Sequence, residues 1–124
     1  MKNILLLAAI VWFMAVPAYA DSGLVNVQST HTVAQTADRL ETLLKEKGLR
    51  IFIRINHAAG AQKAGITLRP TELLIFGSPK VGAPLMARQQ SIGIDLPQKM
   101  LIWEDAAGQV WLTYNNPDYL AARH

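Results

Sequence analysis

The chain has 124 residues, no cysteine, 51% apolar residues and a formal net charge of +3. Without a thiol it can hold no disulfide, no thiolate metal site and no cysteine nucleophile. Its basic residues are scattered and no basic run interleaves with aromatics, so the pI near 9.5 reflects a small charge excess and no nucleic-acid partner is expected.

The N-terminus reads as an export signal. Lys2 supplies a positive start, Ile4 to Val16 form an unbroken apolar run, and Ala18-Tyr19-Ala20 places small residues at the −3 and −1 positions. A signal peptide over residues 1–20 with cleavage after Ala20 is therefore expected, delivering the protein to the periplasm. Pro17 interrupts the run short of the roughly 20 apolar residues that a spanning helix needs, so no membrane span is expected after cleavage. The absence of cysteine excludes a lipid-anchored product. Residues 21–124 remain as a single globular domain; with Lys2 removed, 11 basic residues face 9 acidic ones, a charge of +2.

In chain order, Leu24 to Ser29 alternates like a short strand. Thr32 and Gln35 form a T-x-x-Q capping box ahead of a helix over Val33–Lys47, whose stripe is Val33, Ala37, Leu40, Leu43 and Leu44 and whose end is Gly48. Arg50 to Asn56 has period two, with Ile51, Ile53 and Ile55 expected inward and the arginines outward. Asn56 can cap a short helix to about Ala64, closed by Gly65. The run Glu72 to Phe76 reads as a strand buried on both faces. Gln98 to Glu104 and Gln109 to Asn115 are two further strands joined by the turn Asp105-Ala106-Ala107-Gly108. Pro117, at the first position of a final short helix, suits a helix start.

This order predicts an α+β fold, a single antiparallel-type sheet with helices on one face, because the terminal hairpin breaks any regular β–α alternation. Several stretches then carry a resemblance: Asp38-Arg39-Leu40 into Lys45-x-Lys47-Gly48, Ile55-x-His57-Ala58-Ala59, Arg69-Pro70-Thr71-Glu72 through Gly77-x-Pro79-Lys80-Val81-Gly82, Asp95-Leu96-Pro97, Trp103-Glu104-Asp105 and Tyr114-Asn115. The chain resembles the domain of unknown function family 302 from about Thr32 to His124. That resemblance implies a TBP-like β-α-β4-α arrangement, often dimeric, and no established activity. Ser78 stands where the family commonly has Asn.

Five of the candidate ligand-binding residues fall in one segment. Gly77-Ser78-Pro79-Lys80-Val81-Gly82 has the glycine spacing of a phosphate loop, but Ala83-Pro84 follow where Lys and Ser/Thr are required, so it is not one. Two readings stay open: glycines permitting unusual backbone with prolines stiffening the connection, or a ligand-cradling loop of Gly77, Ser78, Pro79, Lys80 and Gly82. A connection from Gly77 to Pro97 is long unless it contains a helix, for which Ala83–Gln90 is the natural place. Leu85, Met86, Ile92 and Ile94 are apolar enough to pack on the core, line a pocket or cover a partner.

None of the three histidines has a ligand-type residue at helical spacing, so no metal site is expected. His31 is expected to be solvated and His124 mobile. His57, beside Asn56, either fixes the strand-to-helix turn by a polar contact or serves as a general base or a metal or haem ligand. Asp105 is expected to start the hairpin turn. Trp103 and Trp111 lie at opposing positions of the hairpin and share a face as candidate interface anchors. No catalytic constellation is present, and nothing identifies a cofactor. The reading that follows is a non-enzymatic, homodimeric periplasmic module binding a small ligand or a protein partner through the sheet face and the 77–97 segment. The alternative is an enzyme or metal/haem-binding protein centred on His57.

Overall fold

A computed structural model describes residues 22–124; the expected leader lies outside the described residues. The chain runs β1 (Leu24–Ser29), α1 (Val33–Glu46), β2 (Arg50–Asn56), α2 (His57–Lys63), β3 (Thr71–Gly77), α3 (Pro79–Arg88), a 3-10 turn (Gln90–Ile94), β4 (Gln98–Glu104), β5 (Val110–Asn115) and α4 (Pro117–Arg123). The strands form one antiparallel sheet in the order β1-β5-β4-β3-β2. The expected α+β arrangement is present, with α2 and α3 added at the two ends of β3.

α1 starts where its capping box predicts. Thr32 Oγ1 accepts from the Gln35 amide and Gln35 Oε1 accepts from the Thr32 amide, both at 3.2 Å, and Gly48 turns the chain away with φ +78°. Val33 and Ala37 are buried against Leu74, Ile102 and Val110, with Leu40 and Leu112 completing the cluster. Leu43, expected in the stripe, is 53% exposed because it lies at its outer edge. Leu74 and Ile102, on the central strands under α1, are fully buried.

The sheet's two faces follow from its register. Glu72, Leu74 and Phe76 point to the α1 side, as do their partners Ile102, Met100 and Gln98 on β4. Leu73, Ile75, Leu101, Trp103 and Trp111 point to the other side and stay partly exposed. β3 is therefore buried on one face and half-covered on the other, not on both as its apolar run suggested. In β2 the expected alternation reverses part-way. A register shift between Ile51 and Ile53 leaves Phe52 as the extra residue, so Ile51 pairs with Phe76 but Arg54 pairs with Leu74. Arg54 then faces α1, and Ile53 is 49% exposed on the open side.

The 77–97 connection also departs from expectation. A helix is present, but it starts at Pro79, four residues earlier than expected, with Pro79 in its first turn and Pro84 inside it. An interior proline normally costs a helix about 3 kcal/mol, which is why the proline pair reads as a stiffened loop. Gly77 and Gly82 do not use left-handed backbone; among the described residues Gly23, Gly48, Gly65 and Gly108 do. His124 is not a loose end. Its side chain is 8% exposed, with Nε2 2.6 Å from Asp95 Oδ2 and Nδ1 2.9 Å from Ser91 Oγ, tying the end of α4 to the 3-10 turn.

Candidate functional site

Where β3 runs out, α3 stands away from the sheet and leaves a cleft of about 430 Å³. Leu49 and Phe52 form one wall, Phe76, Leu96, Pro97 and Gln98 the floor, and Gly77–Pro79, Val81–Ala83, Leu85 and Met86 the other wall. The lining holds no carboxylate and no histidine; Ser78 and Gln98 are its polar side chains. Val81, Leu85 and Met86 are 64%, 43% and 37% exposed, so the cleft opens to solvent along α3. Gly82 lies on the wall facing the cleft: a Cβ there would meet Leu96 Cδ1 and Met86 Cε at 3.7 and 3.9 Å, ordinary contact distances, so a side chain can be accommodated and would project toward these lining residues.

Cations border this apolar surface. The Arg50 guanidinium lies over the Phe52 ring, 5.2 Å from its centroid. Among the described residues neither Arg50, Lys80 nor Arg88 is engaged in a salt bridge. The carboxylate beside the floor, Asp95, is already occupied by His124 and Arg123, and the His124 hydrogen bond in particular holds its pKa below the ordinary aspartate range.

A second, more polar cavity of about 630 Å³ lies at the opposite end of β3, between the start of α1 and α2. Glu72 and Glu104 line it with Asn56, Gln62 and the Thr32–Ala34 turn. Arg54 lies between β3 and α1. Its Nε donates to Glu72 Oε2 at 2.7 Å, and its Nη1 pairs with Asp38 and, at 3.5 Å, with Glu41. These partners, Glu72 first and Asp38 next, raise the Arg54 pKa and hold its charge. Glu41 is lowered chiefly by its hydrogen bond from Lys45, with Arg54 adding to it.

The structure divides the residues singled out from sequence. Gly77, Ser78, Pro79 and Gly82 come together in the apolar cleft, while Lys80, between two lining residues, is exposed and does not line it. His57 opens α2 and lines neither cavity, and its ring makes no hydrogen bond among the described residues. It is not the contact that fixes the turn: Asn56 Oδ1 does that by accepting from the Ala59 amide at 2.9 Å. Among the described residues no three His, Cys, Asp or Glu side chains stand close enough to hold a metal ion. Trp103 and Trp111 pair directly across the hairpin, as expected. Their indole N–H groups donate to Thr113 Oγ1 (2.8 Å) and Asp105 Oδ2 (2.9 Å), leaving the rings on the open face. Asp105 starts the turn, accepting from the Ala107 and Gln109 amides; the Trp111 hydrogen bond and these amides lower its pKa.

Sequence reasoning missed the facing wall and floor: Leu49, Phe52, Phe76, Leu96 and Gln98. Phe52 carried a signal, being a large aromatic at an outward position of β2. Its placement beside Gly77 and Pro97 depends on the bulge, which no local pattern announces.

Comparisons with known proteins agree on the fold. The family model described as "Domain of unknown function DUF302" matches residues 25–124. A crystal structure of a DUF302 protein from Bacillus stearothermophilus superposes with a TM-score of 0.75 at 20% identity, over 83% of this chain and 80% of that one. Proteins from Brucella suis and Brucella abortus, each named fluoride-specific ion channel FluC 1, are 52% identical over 104 residues, 84% of this chain. The match covers 41% and 38% of their lengths, so the chain spans about two fifths of these curated relatives.

Proposed function

Because this chain belongs to the DUF302 family, whose description states no activity, we propose a function from its own geometry: it is an exported binding module that holds a small apolar ligand in the α3 cleft. The observation that carries this reading is the cleft's lining, an open apolar trough of about 430 Å³ with two polar side chains and no ionisable one. That volume falls within the range of small-molecule sites, which are mostly apolar with few orienting polar groups. Export to the periplasm rests on the leader pattern of residues 1–20. No helix among the described residues is long and apolar enough to cross a membrane.

The half-exposed sheet face is the proposed surface for a homodimer, with Trp103 and Trp111 as anchors at one end and Leu101, Leu73 and Ile75 continuing the apolar face across β4 and β3. A second reading concerns the partner. Relatives named as ion channels carry a region half-identical to this chain, which favours a module that works beside a membrane channel. Less supports the His57-centred alternative, because His57 lines neither cavity and belongs to no group of three or more possible metal ligands among the described residues.

The test is titration with a neutral apolar dye such as Nile red. The wild type is expected to bind one dye per chain, and Gly82→Leu to lose that binding by at least tenfold while melting no lower than the wild type. The added side chain fills the cleft, and replacing a helical glycine is worth up to about 1 kcal/mol. Equal binding by both proteins contradicts the proposal.

A further inference from the structure

We infer that the ligand of the α3 cleft is a linear acyl chain ending in an anionic head group, with Arg50 as the residue that receives the head. This rests on the reading of the cleft as an apolar-ligand site and adds the ligand's class and polarity.

Charge complementarity at a fixed place on the rim points to the anionic head. A neutral apolar ligand would ask nothing of the rim. Here the rim bears a guanidinium placed over Phe52, itself a wall of the cleft, 5.2 Å from the ring centroid. Arg50 is exposed, has no carboxylate partner among the described residues, and no carboxylate lines the cleft to compete for it. Asp95, the acid next to the floor residue Leu96, is withdrawn into its pairing with His124. An exposed arginine held over a ring, with no carboxylate partner among the described residues, keeps its fork of donors available to a carboxylate or a phosphate. Lys80, one residue from two lining positions, adds a second positive charge on the α3 side. The interior offers a chain no hydrogen-bonding pattern to match beyond Ser78 and Gln98, so what it selects is apolar length. A free fatty acid and an anionic phospholipid share this chemistry.

The experiment uses protein made from the full chain and compares dodecanoate at pH 8 with dodecanol, both below micelle-forming concentrations, by displacement of Nile red. Dodecanoate is expected to bind at least tenfold tighter than dodecanol. Arg50→Glu is expected to weaken dodecanoate at least tenfold and leave dodecanol within twofold. Arg50→Gln, which carries no reversed charge, should give an intermediate loss with an unchanged melting temperature. A vesicle arm identifies the source. Arg50-dependent sedimentation with phosphatidylglycerol vesicles but not phosphatidylcholine vesicles supports a membrane lipid, and its absence alongside dodecanoate binding supports a free acid. Equal affinity for dodecanol and dodecanoate, or no effect of Arg50→Glu, overturns the anionic-head inference and leaves the apolar site standing. Failure of Nile red, dodecanol and dodecanoate alike overturns both.

Discussion

The two ends of β3 are finished in opposite ways. At its start, polar groups are brought in and matched: Arg54 is turned under α1 by the β2 bulge and meets Glu72, Asp38 and Glu41. At its finish, apolar side chains are left uncovered, and Arg50 and Lys80 beside them have no carboxylate partner among the described residues. Burial of a charged group is tolerated where partners satisfy it, and exposure of a contiguous apolar surface marks an interaction site. The first end is thereby explained by folding alone, and the second is not.

Substitutions should separate the two. Leu74→Ala, beneath α1, is expected to cost about 3–4 kcal/mol in chemical denaturation, because it opens a cavity in fully packed surroundings. Leu85→Ala, on the open cleft, should stay within about 1 kcal/mol and show itself in ligand binding instead. Equal costs would mean the cleft is closed in solution. Arg54→Ala should cost about 2–3 kcal/mol, since it strands Glu72, which is 8% exposed, without its partner. His124→Ala should cost about 1 kcal/mol and raise amide exchange selectively in the 3-10 turn, where Ser91 and Asp95 lose their shared partner.

The smallest effect is that of acid. Glu41, Asp95 and Asp105 have folded pKa values below their ordinary ones. Each therefore contributes stability above the unfolded carboxylate pKa, near 4, and loses it as pH falls through the lower folded value. A melting series from pH 6 to pH 2.5 should show this decline, and Asp95→Asn should flatten part of it by removing the pairing with His124 and Arg123.

Much of this layout was legible in the sequence, and the gaps have physical causes. The capping box at Thr32, the left-handed glycines Gly48 and Gly108 and the Trp103–Trp111 register are local or obey a fixed period, so they could be read directly. The cleft was half-legible. Gly77, Ser78, Pro79 and Gly82 stood out as unusual punctuation, yet the two glycines adopt no left-handed backbone and a Cβ at either would make ordinary contacts, so their place on the cleft wall is set by tertiary packing. The other wall comes from β2, some 25 residues earlier, and its geometry is set by a bulge. His57 drew attention by its place beside Asn56 at a strand-to-helix turn, and the turn-fixing contact considered for it is made by Asn56.

The domain's two methionines outside the expected leader stand one in each kind of environment: Met86 on the cleft wall, Met100 on the α1-facing side of β4 opposite Leu74. Methyl-13C-methionine labelling with titration of dodecanoate reads both at once. The account predicts a saturable shift of the Met86 methyl resonance with Met100 unmoved, and no Met86 shift in Gly82→Leu. Equal movement of both resonances, or a silent Met86 at saturating ligand, would contradict the claim that the α3 cleft is the binding site.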